Sequence, residues 1–195
     1  MTDFKGAKNY ILTRLENELN PQLYYHDLIH TLDVVESCKR YAEMESIGED
    51  DRILLETAAY FHDAGMLDTY INHEEASIAL ARQVLPEFGY SEEELIIISN
   101  VIMKTKLPQN AITLLGEVLC DSDLDYLGRP DFFMIAHRLR YEWELLMNKY
   151  YGLQEWYELQ YEFLSNHKYY TRSARMLRNQ GKAKNLAEVK RILGK

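Results

Sequence analysis

Proline occurs only four times in 195 residues, at positions 21, 86, 108 and 130, and the nine glycines are also widely scattered. Proline breaks a helix and glycine commonly ends one, so long stretches with few of either favour helices over many short strands. Between the breaks the apolar residues recur at helical spacing. Phe4, Ala7, Ile11, Leu12, Leu15 and Leu19 predict a helix over 3–19, stopped at Asn20-Pro21 because proline disfavours α geometry in the residue before it. Leu28, Leu32, Val35, Cys38 and Ala42 predict a second over about 26–46, closed by Gly48. A third spans Glu49 to Asp63, with Ile53, Leu54, Ala58 and Phe61 inward and Gly65 as terminator.

A fourth helix is expected over about 73–85, and Ser91 with Glu94 forms a capping box that opens a fifth, reaching about Lys104. Residues 109–126 resume the period with Ile112, Leu115, Val118 and Leu119 on one side. The Gly128-Arg129-Pro130 turn leads into an aromatic stretch from Phe132 to Phe163, then a basic helix from about Thr171. About seven to nine helices with short connections imply an all-α bundle. With 47% hydrophobic residues and no repeat or linker, residues 1–195 are expected to form a single domain around one core.

The longest apolar runs, such as Leu95-Ile96-Ile97-Ile98, fall far short of the roughly 20 residues that span a bilayer. The start, Met1-Thr2-Asp3-Phe4-Lys5, lacks the basic and apolar segments of a secretory signal, so a cytoplasmic location is expected. Cys38 and Cys120 fit no metal-ligand spacing and read as reduced, buried thiols. A net charge of -9 argues against binding a nucleic-acid polymer. That charge is uneven: residues 168–195 carry +8, which leaves -17 on the rest and suggests a basic helix lying on an acidic body.

Chemistry concentrates in three places. His26 and His30 are one helical turn apart, so both imidazoles are expected on one face of the second helix. His62-Asp63 sits at the expected end of the third helix. Asp121, Asp123 and Asp125 alternate among apolar residues, where carboxylates are costly unless paired or bound to metal. Two histidines with two carboxylates make a mixed nitrogen and oxygen donor set, suited to Mn, Fe, Zn, Co or Ni, with Mg also admissible and Ca less so.

The order Tyr25-His26-Asp27-Leu28-Ile29-His30, then Phe61-His62-Asp63, then Ser122-Asp123-Leu124 resembles the signature of the HD-domain metal-dependent phosphohydrolases. The likeness covers about residues 22–130, leaving the aromatic and basic helices of 131–195 outside it. The segments His73-Glu74-Glu75-Ala76-Ser77 and Thr105-Lys106-Leu107-Pro108 look like those of small, largely uncharacterised bacterial HD proteins. The resemblance implies that His30, His62, Asp63 and Asp123 hold a divalent metal, with Asp121 a rival for the last place. It implies that Asp63 orients the attacking water and that His26 protonates the leaving oxygen, with Asp27 beside it where relatives often carry Asn.

Hydrolysis of a phosphomonoester or phosphodiester of a small nucleotide or related metabolite is the expected activity. A metal-bearing sensory or ligand-binding module without turnover is the alternative. Lys104, Lys106, Arg129 and Arg138 are candidate phosphate-binding cations. His73 is a candidate for substrate binding or for a second metal, His137 reads as structural, and His167 is a candidate to reach the site from the C-terminal segment. The aromatic group from Tyr141 to Phe163 reads as packing or as the surface of a homodimer.

Overall fold

The structure, a computed structural model, describes residues 2–195, and among them every regular element is helical. Nine α-helices follow in order: α1 Phe4–Glu18, α2 Leu28–Met44, α3 Glu49–Phe61, α4 His73–Val84, α5 Glu92–Met103, α6 Leu114–Asp123, α7 Phe132–Met147, α8 Leu153–Asn166 and α9 Arg172–Ile192. Three short 3-10 turns, Ala64–Leu67, Leu85–Phe88 and Asp125–Gly128, join them. None of the helices is long and apolar enough to cross a membrane.

The sequence's local signals act where expected at several ends. Asp3 and Thr113 cap α1 and α6 through their side chains, and Ser91 with Glu94 forms the capping box of α5. The aromatic stretch is two helices, not one. Asn148 takes a left-handed conformation (φ 50°) that ends α7, and Gly152 with Glu155 starts α8.

Helices α2, α3, α5 and α6 pack around a core that includes Val34, Cys38, Tyr41, Leu55, Ile98, Val118 and Leu119. Two expected inward residues are not inward: Ile112 is 83% exposed and Leu32 is 40% exposed. Ile112 precedes α6, whose first residue is Leu114, so helical period does not govern it. Leu32 instead lines a surface groove. Both cysteines are free and buried as expected, and burial pushes the Cys38 thiol up to about 12.

The basic C-terminal helix lies against the turn at Asp125–Gly128. Arg178 Nε donates to Asp125 Oδ1 at 2.7 Å, and Tyr41 donates its hydroxyl to the same buried carboxylate. A single buried carboxylate therefore ties α9 to α2. Not all the basic charge is spent this way: Arg172, Arg175 and Lys184 are exposed.

Candidate metal centre

The centre forms where three helix ends meet. His30 lies in the first turn of α2, and its backbone amide donates to Asp27 Oδ1 at 2.8 Å, so Asp27 is the N-cap of that helix. Asp27, which follows His26 where relatives often carry Asn, has its side chain engaged in this cap. His26 itself precedes the helix, so the two imidazoles do not share a helical face as expected. The chain bends into position, with their ring centroids 6.1 Å apart.

His62 and Asp63 follow the last residue of α3, where the backbone passes from helical geometry to φ -107° and ψ 10° at Asp63. Leaving the helix brings both side chains to one side. Asp63 Oδ2 lies 3.1 Å from His62 Nε2 and 3.5 Å from His30 Nε2. The His62 Nδ1 atom faces the Ala59 carbonyl at 2.8 Å, which turns Nε2 toward the centre. Gly65 was expected to end the helix. Its actual constraint is closeness: a Cβ there would stand 2.1 Å from the His73 carbonyl oxygen and 2.6 Å from the Ser77 amide. This contact seats α4, and with it His73, against the turn after Asp63.

Asp123 ends α6, and its Oδ1 lies 3.2 Å from His30 Nε2 and 3.7 Å from His62 Nε2. Donor atoms of His30, His62 and Asp123 all fall within 4.8 Å of one another. Asp121 faces elsewhere. It is buried and accepts from the amides of Tyr170 and Thr171 and from the Thr171 hydroxyl, at 2.8, 2.7 and 2.7 Å. Of the two rivals, Asp123 joins the cluster, whereas Asp121 anchors the start of α9.

Two buried atoms of the cluster, His62 Nε2 and Asp63 Oδ2, lie 3.1 Å apart without hydrogen-bond geometry between them and have no hydrogen-bond partner elsewhere. Buried polar atoms are seldom left so. Burial pulls the His62 pKa down, but the adjoining Asp63 carboxylate offsets this and lifts it to about 9. Burial acts to raise the Asp63 carboxyl, yet His62 and His73 hold it well below the usual range. A set of converging imidazoles and carboxylates, with unsatisfied atoms between them, fits a divalent cation.

His73 borders the centre, its Nε2 3.4 Å from Asp63 Oδ1. Sequence reasoning missed Glu142. It is fully buried on α7, and its carboxylate meets His26 Nδ1 at 2.5 Å while accepting from the Tyr25 amide at 2.7 Å and the Tyr70 hydroxyl at 2.7 Å. Nothing in the sequence set it apart: the stretch from Phe132 to Phe163 carries five glutamates, Glu142, Glu144, Glu155, Glu158 and Glu162.

Of the cations, Lys104 donates to Asn110 and Lys106 pairs with Glu75. Neither is directed to the cluster. Arg129 borders the centre but is paired with Asp33 and Asp131, both at 2.5 Å. His137 bonds the Tyr157 hydroxyl and is structural, as expected. His167 does not reach the site; it caps α8, with its ring against Phe163 and Tyr169.

Helices alone, converging on a buried histidine and aspartate cluster, define a helical protein with a metal-type centre. A family model described as HD domain matches residues 27–125, which is half of the chain, and the chain belongs to that family. An uncharacterized protein of Clostridium beijerinckii (strain ATCC 51743 / NCIMB 8052) is 31% identical over 97 residues, covering 48% of this chain and 61% of that protein. The chain thus matches about three fifths of that relative's length. A crystal structure of a predicted HD superfamily hydrolase from an uncultured Thermotogales bacterium is similar in fold, with a TM-score of 0.65. It is 19% identical and covers 97% of this chain and 91% of its own.

Proposed function

We propose that the protein is a metal-dependent phosphohydrolase, acting on a phosphomonoester or phosphodiester of a small nucleotide or related metabolite. The observation that carries this reading is the convergence of His30, His62 and Asp123 beside Asp63, with His62 Nε2 and Asp63 Oδ2 buried and without a hydrogen bond. These four residues would hold the cation. A divalent ion bound there supplies a water of lowered pKa and polarises a phosphoryl oxygen.

The chain's own residues supply the rest. Glu142 accepts a hydrogen bond from His26 Nδ1–H, which fixes the ring and leaves Nε2 free, so that the imidazolium form gives its Nε2 proton to the departing alkoxide and remains as neutral imidazole. Asp63 offers a carboxylate held ionised by His62 and His73, suited to orienting the attacking water. The nearly buried setting strengthens these charge interactions, with side-chain exposures of 1% for His62, 7% for Asp63 and 8% for His30.

The test is hydrolysis of a generic aryl phosphate, an aryl phosphodiester and a nucleotide panel with Mn, Mg, Co, Ni or Fe added. Metal-dependent turnover that disappears in Asp63→Ala supports the reading. Bound metal without turnover of any substrate would favour a sensory or ligand-binding module instead.

A further inference from the structure

Beside the centre, a groove of about 360 Å³ runs between the outer face of α2 and the first half of α7. His30 and Asp123 line it, so it opens directly onto the cluster. Its walls include Ile29, Leu32 and Met134, which are 62%, 40% and 56% exposed. Large exposed aliphatic side chains gathered in one groove, next to buried donor atoms, mark a ligand surface more than scattered surface apolar residues do.

Two guanidiniums line this groove, and they are not equivalent. Arg129 is compensated by Asp33 and Asp131, with Asp125 a further 3.7 Å away. Arg138 has no side-chain hydrogen bond or ion pair among the described residues, and it is half-buried. Its register brings it toward the reacting end. Glu142 contacts Tyr25 and His26 just before α2, while Arg129, just before α7, contacts Asp33 in α2, so the two segments run antiparallel. Arg138 stands one helical turn before Glu142 and therefore beside the end of the groove nearest His26 and His30. The acids Asp27, Asp33, Glu36 and Asp131 also line the groove, and they oppose a second or third phosphate.

We propose that this groove receives the organic part of the substrate and that Arg138 anchors its phosphoryl group. The substrate class is then a phosphate ester with one phosphoryl group on an uncharged, planar or largely apolar alcohol. Polyphosphates and bare sugar phosphates are disfavoured. This rests on the phosphohydrolase reading for its chemistry, but its recognition elements are testable without turnover.

The experiment is calorimetric titration of the full chain, with Mn present, using methylphosphonate and 1-naphthylmethylphosphonate, whose carbon–phosphorus bonds resist hydrolysis. Wild type is expected to bind the naphthyl compound at least about tenfold more tightly than methylphosphonate. Arg138→Met, which keeps the aliphatic stem, should weaken both by about tenfold or more, the usual range for losing a charge-assisted contact. Leu32→Gln with Met134→Gln should weaken only the naphthyl compound. Adenosine triphosphate should bind more weakly than adenosine monophosphate. Equal affinity for the two phosphonates, no binding of either, or an Arg138→Met variant indistinguishable from wild type would overturn the proposal. Failure of the phosphohydrolase reading looks different: 1-naphthyl phosphate would bind in the expected pattern and not be hydrolysed.

Discussion

His26 and Glu142 are 116 residues apart in sequence, yet His26 Nδ1 and Glu142 Oε1 lie 2.5 Å from each other. The same carboxylate also accepts from the amides of Tyr25 and His26 and from the Tyr70 hydroxyl, so four donors fix its position. Burial acts to raise its pKa, and His26 and the other donors bring it below the usual range. It is an ionised, immobile acceptor for the histidine's second nitrogen. Removing His26 should therefore lower kcat by about 10²–10⁴, the ordinary contribution of a general acid. Glu142→Gln keeps the shape and loses the charge, and a loss of about tenfold or more in kcat with little change in KM is expected. Both losses should be smaller on an aryl ester, whose leaving group needs less protonation, than on an alkyl ester. Equal losses on the two esters would remove His26 from the acid role.

Asp121 and Asp123 are predicted to separate cleanly when mutated. Asp121→Ala strands the Tyr170 and Thr171 amides at the start of α9, and at about 1–3 kcal/mol for each buried group left unsatisfied, a loss of about 3 kcal/mol in stability is expected. Metal content should stay that of the wild type. Asp123→Ala should do the reverse, losing metal while melting within a few degrees of the metal-free wild type. Denaturant unfolding and elemental analysis of both variants check the pair.

Gly65→Ala should be destabilising by about 3 kcal/mol, since the added carbon would meet backbone atoms of His73 and Ser77 that cannot rotate away. The strain falls between Asp63 and His73, so metal affinity should drop with stability. A variant with wild-type melting temperature would show that the two segments separate at little cost.

His167 gives acid sensitivity far from the centre. Burial and, after it, the Lys182 charge depress its pKa from the ordinary 6.5 to about 4. Between those two values the unfolded chain binds the proton and the folded chain does not, so stability is lost as pH falls from about 6.5 toward 4. The loss is at most about 3 kcal/mol at 1.36 kcal/mol per unit. His167→Phe should flatten this part of the curve, as measured by urea unfolding at each pH.

Helix existence was readable in the sequence because apolar period and end signals such as Ser91-Glu94 are local. The candidate ligands were readable because His30, His62, Asp63 and Asp123 carry a recognisable order. What depends on the path of the chain was not. Whether Asp121 or Asp123 faces the cluster turns on the rotation of α6 against α9, and His26 reaches its place through a bend before α2 that periodicity does not encode. Glu142 was invisible as a functional residue because its four donors come from elements distant in sequence. Likewise only the folded chain shows that Arg129 is neutralised while Arg138 is not.

The most direct test is the stoichiometry and affinity of divalent metal, measured by elemental analysis and by Mn titration of wild type and His62→Ala. Wild type is expected to hold a divalent ion at a site that is lost in the variant. Protons compete for His62, whose pKa is about 9, so affinity should tighten as pH rises toward 9. A wild-type protein that binds no divalent ion at any pH in that range, or a His62→Ala variant that binds as well, would contradict the metal centre itself.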